Sequence, residues 1–157
     1  MKSNRRDFIR MSTLAGMALA GETAIASPRS AQPQDTKHFN MSGYAAPRLD
    51  TVRIGFIGLG NRGPGAVERI SKIDGVEIKA LCDIRPERAE NAKNILAKTT
   101  HKPDLYSGGA EEWKKVCARK DIDLIYIATP WDLHTPMAVF AMEQGKHAAS
   151  EVPAAVT

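Results

Sequence analysis

Residues 52–64 read VRIGFIGLGNRGP, and this stretch decides the fold of the chain. An apolar run rich in β-branched residues ends at a glycine cluster, and a helical pattern follows it. Gly58, Gly60 and Gly63 have the G-x-G-x-x-G spacing of a dinucleotide-binding turn. In such a turn the first glycine permits the bend, the second lets the backbone approach a pyrophosphate, and the third lets helix and strand pack closely. The N–H groups at the helix start then face the phosphates.

Strand and helix patterns alternate outward from this turn. We predict strands over residues 51–57, 76–82, 104–107, 122–128 and 147–151. We predict helices over residues 64–73 and 132–144, and two more that begin near residues 86 and 110. Apolar residues recur at helical spacing on the expected inner faces: Val67, Ile70, Ile73, Ala89, Ala92, Ile95, Leu96, Trp113, Val116 and Cys117. The alternation predicts an α/β fold, a Rossmann-type, doubly wound parallel sheet with helices on both faces.

An acidic residue, Asp83, stands at the end of the second predicted strand. A carboxylate at this place accepts hydrogen bonds from the adenosine ribose hydroxyls, and Asp83 follows the first glycine by about 25 residues, against an expected ~20. Such a carboxylate repels a 2′-phosphate, so it favours NAD over NADP, while Arg85 nearby softens that preference. The alternative role for Asp83 is a helix N-cap, because a helix is predicted to start at Pro86.

Composition allows one domain of ordinary size in 157 residues, with 25% charged and 43% hydrophobic residues. The formal net charge is +4, but no block of like charge or aromatic-and-basic stripe accompanies it, so we predict no nucleic-acid partner. We predict no metal site. Cys82 and Cys117 fall in a predicted strand end and a predicted helix, which favours two buried free thiols over a disulfide.

The N-terminus has the features of an export signal over residues 1–26. A basic segment precedes an apolar segment, residues 11–21, and an A-x-A cleavage signal follows at residues 24–26. The apolar segment is too short for a membrane span of ~20 residues, so we predict no stable membrane anchor. Residues 4–10, NRRDFIR, resemble a twin-arginine signal, although an ordinary secretory signal remains the alternative. We therefore expect export by the twin-arginine machinery, to the periplasm or outside, and a linker over residues 27–50.

Two further motifs carry a family resemblance: ATPWDLH at residues 128–134 and EVPAA at residues 151–155. Together with GLGNRG at residues 58–63 they resemble the nucleotide-binding half of the oxidoreductases grouped with glucose–fructose oxidoreductase and inositol dehydrogenase. Within that superfamily the combination looks most like glycoside hydrolase family 109, whose members are NAD-dependent α-N-acetylgalactosaminidases often exported by the twin-arginine route. The resemblance covers about residues 51–157. Val152 departs from the superfamily pattern, which usually has a lysine there, close to the catalytic centre.

The resemblance implies NAD as the cofactor, bound by the glycine turn and by residues after the strands. The positions that match family contacts are Asn61, Arg62, Asp83, Trp131, Asp132, Leu133, His134, Glu151 and Val152. Two of them have alternatives from the residues alone. Trp131 either forms an apolar wall of the site or packs beneath the helix that it precedes. His134 either contacts the ligand or is satisfied locally, and His147 is predicted to be structural within a buried strand.

The resemblance also implies that residues 51–157 are the N-terminal nucleotide-binding part of a longer enzyme. A second, larger α+β domain would supply the pocket for a small-molecule or glycan substrate, the catalytic residues would lie there, and this part alone would be inactive. The implied reaction oxidises the sugar, eliminates the leaving group, adds water and reduces again. Two alternatives remain: an exported sugar oxidoreductase with tightly bound NAD(P), against which Val152 counts, and an inactive nucleotide-binding fragment. The sequence does not indicate an oligomeric state.

Overall fold

The computed structural model of the chain describes residue 43 and residues 45–155. The predicted signal over residues 1–26 and most of the predicted linker over residues 27–50 lie outside the described residues. Nearly all the described residues belong to one compact unit, Ala46–Thr157. Within the described part, no helix is long and apolar enough to cross a membrane.

Among the described residues, five parallel strands form one sheet in the order β3-β2-β1-β4-β5. This order places β1 at the centre. β2 and β3 lie on one side of it, and β4 and β5 lie on the other. The crevice where the strand order reverses, between β1 and β4, is where folds of this kind bind their ligands. The strands are β1 (Val52–Ile57), β2 (Val76–Cys82), β3 (Asp104–Tyr106), β4 (Leu124–Ile127) and β5 (His147–Ser150).

In the part of the chain that the structure describes, four helices cover the two faces of the sheet. They are α1 (Gly63–Ile70), α2 (Pro86–Ile95), α3 (Glu112–Cys117) and α4 (Trp131–Glu143). One core contains Val67 of α1 and Ala89 of α2, packed against Phe56 of the central strand. The other core contains Val116 of α3 and Met137 of α4. α1 and α2 therefore share one core, and α3 and α4 share the other, so the helices cover both faces of the sheet. The prediction of a doubly wound α/β sheet is confirmed.

Three predicted core positions are wrong. α1 ends at Ile70, before the turn at Gly75, so Ile73 lies outside the helix and is 55% exposed. Ile95 is also exposed, because Ala89, Ala92 and Leu96 of the same helical stretch occupy its inner face. His147 begins β5, which pairs only with β4 at the edge of the sheet, and its side chain is exposed rather than buried.

Both cysteines are free and buried, as predicted. Burial raises the pKa of Cys82 to about 12 and that of Cys117 to about 11. A thiol reacts and binds metals as its thiolate, so these pKa values make both side chains unreactive core residues near neutral pH.

Candidate functional site

The predicted site residues follow the carboxyl ends of the strands, so they lie together at the carboxyl-terminal end of the sheet. Hydrogen bonds extend the sheet pairing just past the strand ends, from Gly58 N–H to Cys82 O at 2.8 Å, from Ala128 N–H to Ile57 O at 2.8 Å, and from Glu151 N–H to Ile127 O at 2.9 Å. These bonds hold the starts of three loops side by side. The loops after β1, β4 and β5 therefore leave the sheet together, as expected for a ligand crevice in a parallel sheet.

The first and third glycines of the turn are required by close backbone contacts. Gly58 has φ +89°, and a methyl group on it would lie 2.6 Å from the carbonyl carbon of Ala128. A methyl group on Gly63 would overlap the carbonyl oxygen of Gly58. The bend at Gly58 and the close packing at Gly63 agree with the roles predicted from the spacing. The turn is thus packed tightly against the loop that follows β4.

The three N–H groups between Leu59 and α1 are open to a ligand. Among the described residues, no acceptor takes the N–H of Gly60, Asn61 or Arg62. The N-cap residue of α1, Arg62, makes no side-chain capping bond, and the first turn of the eight-residue helix contains no acidic residue. Unpartnered N–H groups at the start of a helix whose first turn has no acidic residue favour an anion. The turn therefore fits a cofactor diphosphate, while contact by the individual residues stays a prediction.

Asp83 is buried at the end of β2, and its carboxylate binds two main-chain groups. Leu59 N–H donates to Oδ2 at 2.7 Å and Arg85 N–H donates to Oδ1 at 2.9 Å. Arg88 Nη1 lies 3.9 Å from Oδ2. The N-cap of α2 is Arg85, and no side chain caps that helix, so the N-cap alternative for Asp83 is wrong. The carboxylate instead accepts from the residue two positions ahead, as short acidic side chains do in turns.

Trp131 is the first residue of α4 and is 62% exposed. It does not pack beneath the helix, so that alternative is wrong. Thr129, Pro130, Trp131 and Asp132 line a shallow depression of about 440 Å³ at the start of α4. Because Trp131 and Pro130 present apolar surface there, the depression can take the flat face of a ring.

His134 lies one turn into α4 and is 1% exposed. Its Nε2 lies 2.9 Å from Thr129 O and its Nδ1 lies 2.8 Å from Pro153 O. A neutral imidazole donates to one of these carbonyls, whereas an imidazolium donates to both. The ring is therefore satisfied locally, and the predicted ligand contact does not fit the ring atoms. Its side chain instead joins the loop after β4 to the segment after β5.

A tyrosine that the sequence analysis did not single out holds Glu151. The hydroxyl of Tyr126, in β4, donates to Glu151 Oε1 at 2.6 Å. Burial, with a contribution from Glu151, raises the pKa of Tyr126 to about 12, so the phenol stays protonated and continues to donate. The only signal in the sequence is an aromatic residue within the aliphatic strand LIYI. Next to Glu151, Val152 is 82% exposed.

Together these contacts join four segments that are distant in the sequence. Asp83 binds the glycine turn through Leu59, and the turn packs against Ala128. His134 then connects the same loop to Pro153. Within the described part of the chain, no group of three or more His, Cys, Asp or Glu side chains is placed to hold a metal ion.

The sheet order defines a Rossmann-type dinucleotide-binding domain, because a glycine turn joins β1 to α1 and leaves N–H groups open to a phosphate. The chain belongs to the oxidoreductase family with an NAD-binding Rossmann fold, whose family model matches residues 52–157. The predicted cofactor, NAD, is thereby confirmed.

Curated relatives of the chain include proteins of glycosyl hydrolase family 109. A glycosyl hydrolase family 109 protein of Porphyromonas gingivalis is 51% identical over 144 residues, which are 91% of this chain and 30% of that protein. An alpha-N-acetylgalactosaminidase of Bacteroides fragilis is 53% identical over 116 residues, which are 73% of this chain and 27% of that protein. The resemblance to family 109 is confirmed. The chain spans about 30% of the length of the first of these relatives.

A solved structure has the same fold with cofactor bound. It is myo-inositol dehydrogenase of Lactobacillus casei in complex with NAD(H) and myo-inositol, at 25% identity and a TM-score of 0.59. The match covers 68% of this chain and 30% of that one. The predicted relation to the inositol dehydrogenases therefore holds for the fold and for the cofactor.

Proposed function

We propose that this chain is the N-terminal, NAD-binding part of an exported glycosidase of the α-N-acetylgalactosaminidase type. The observation that carries the proposal is Val152. It is 82% exposed, beside the Glu151 that Tyr126 holds, where the dehydrogenases of the superfamily usually have a lysine. A valine cannot donate or accept a proton, so a dehydrogenase reaction assisted by that lysine is disfavoured. The names of the relatives agree with a glycosidase.

In the proposed reaction, NAD held by this chain's residues would supply the hydride acceptor for C3 of the sugar and, in its reduced form, the hydride donor that ends the cycle. Oxidation at C3 makes the C2 proton acidic, so the glycosidic leaving group is eliminated and water then adds. The pair of carboxylates that most glycosidases need is not required in NAD-dependent cases. This chain's residues bind and orient the cofactor. The glycine turn holds the diphosphate, and the exposed Trp131 and Val152 supply apolar surface.

Recycling of the cofactor agrees with the proposed export. NAD is a cytoplasmic pool, so an exported dehydrogenase that released NADH in each turnover would stall. A twin-arginine route carries folded proteins and lets the cofactor be loaded before export. Cofactor that returns to its starting state in each cycle then needs no replacement.

The reaction is tested in the longest natural polypeptide that contains this chain, with a chromogenic α-N-acetylgalactosaminide in D₂O. We expect release of the aglycone, no net NADH, and deuterium at C2 of the released sugar, because the C2 proton is removed during elimination. Net NADH or oxidised sugar would instead support the exported oxidoreductase. The absence of every product would support a nucleotide-binding module without activity. Aglycone release without deuterium at C2 would contradict the proposed elimination.

The export proposal predicts that changing both Arg5 and Arg6 to lysine retains the protein in the cytoplasm. The twin-arginine receptor reads the guanidinium pair, and lysine keeps the charge but not the planar donor geometry. Cell fractionation with antibody detection measures the distribution. Arg10→Lys is the matched control, because it makes the same exchange outside the pair and is expected to leave export unchanged. Normal export of the double variant would favour an ordinary secretory signal.

A further inference from the structure

Two successive N–H groups of the glycine turn bind the end of β2. Gly58 N–H donates to the main-chain oxygen of Cys82 at 2.8 Å, and Leu59 N–H donates to the side-chain Oδ2 of Asp83 at 2.7 Å. The carboxylate thus continues the sheet pairing by one residue after the two backbones separate. Because the acceptor is an ion and the site is buried, this bond is stronger than one between neutral groups.

The other oxygen of Asp83 accepts from Arg85 N–H at 2.9 Å, just before α2. Both oxygens therefore have main-chain donors, and the side chain is only 5% exposed. These two bonds use about half of the carboxylate's ~four lone-pair sites. Leu59 lies directly before Gly60, Asn61 and Arg62, whose N–H groups have no acceptor among the described residues. The direction of these three N–H groups depends on how Leu59 is held.

We infer that Asp83 is a positioning residue for the diphosphate turn. It strengthens cofactor binding by holding Leu59 N–H, and this contribution does not require the ribose hydroxyls. The inference concerns NAD binding alone and does not rest on the proposed glycosidase activity. A change that removes the carboxylate leaves Leu59 N–H without its acceptor, and the turn then loses the shape in which the following N–H groups converge on a diphosphate.

The test compares ADP with 2′,3′-dideoxy-ADP, which keeps the diphosphate and lacks both ribose hydroxyls. Isothermal titration calorimetry measures both ligands against the full chain and against Asp83→Ala, which removes every side-chain acceptor at this position. We expect Asp83→Ala to weaken dideoxy-ADP about tenfold or more, which corresponds to ~1.4 kcal/mol, and ADP by at least the same factor. The fitted stoichiometry reports the folded fraction, so partial unfolding is separated from a change of affinity in the folded protein. A loss of affinity for ADP alone would overturn the inference and assign Asp83 to the ribose.

Glu87→Gln is the matched control. Glu87 is an exposed carboxylate in the first turn of α2, and it accepts no bond from the glycine turn. Removing a negative charge near a diphosphate favours binding electrostatically, so we expect this variant to bind both ligands no more weakly than the parent chain. If Asp83→Ala does not fold, Asp83→Glu carries the same comparison, because it keeps the charge but moves the carboxylate away from Leu59 N–H. An unchanged affinity for dideoxy-ADP in that variant would also overturn the inference.

Discussion

Gly58→Ala is expected to abolish measurable NAD binding and to lower the free energy of unfolding by about 3–5 kcal/mol. Two costs add at this position. The left-handed backbone conformation, with φ +89°, disfavours any residue with a Cβ atom. The new methyl group would also lie 2.6 Å from the carbonyl carbon of Ala128 and 2.7 Å from the nitrogen of Thr129, both main-chain atoms that cannot rotate away. The glycine turn would then move away from the loop after β4. This would disrupt the carboxyl-terminal end of the sheet, where we expect the cofactor to bind.

Gly108→Ala separates these two costs. Gly108 has nearly the same conformation, with φ +86°, but nothing lies within 4 Å of the position of its Cβ. We expect this variant to lose only about 1–2 kcal/mol of stability and to keep its NAD affinity. Urea unfolding gives the stabilities, and calorimetric titration gives the affinities. Equal losses in the two variants would mean that the contact with Ala128 contributes nothing and that backbone strain alone explains the effect.

The architecture can be predicted from the sequence because each element carries a local signal. β2 has its predicted bounds, Val76–Cys82, since Gly75 and Asp83 bracket an alternating apolar run. The glycine spacing predicts the bend at Gly58 because only that residue type tolerates its conformation and contacts. Errors occur at element ends. β4 covers Leu124–Ile127 within the predicted 122–128, and α3 begins at Glu112 rather than near residue 110.

The contacts within the site were not predictable in the same way. Tyr126 and Glu151 are 25 residues apart, and His134 and Pro153 are 19 apart. No spacing or periodicity links such residues, because they meet only where the sheet places β5 beside β4. Sequence reasoning therefore placed Glu151 and His134 correctly at the carboxyl-terminal end of the sheet. It could not identify the groups that orient them, which only the structure shows. Asp83 shows the same limit, since its bond to Leu59 depends on the pairing of β1 with β2.

His134→Phe is expected to lower the free energy of unfolding by about 2–4 kcal/mol, because the carbonyls of Thr129 and Pro153 lose the imidazole beside them. Phenylalanine keeps a planar ring in the buried space, so the loss reports the polar contacts rather than a cavity. NAD affinity should fall about tenfold or more, since the loops after β4 and β5 are no longer joined.

Thr135→Val is the control for His134→Phe because it acts on the same segment from the next residue. The hydroxyl of Thr135 donates to Ala154 O at 2.6 Å, but Thr135 is exposed. Water can replace that bond, so we expect a loss below about 1 kcal/mol and an unchanged NAD affinity. Thermal unfolding and calorimetric titration of both variants give the comparison. If His134→Phe binds NAD normally although its stability falls, the imidazole supports only the fold. If His134→Phe lowers both NAD affinity and stability while Thr135→Val changes neither, His134 positions the loops after β4 and β5 for cofactor binding.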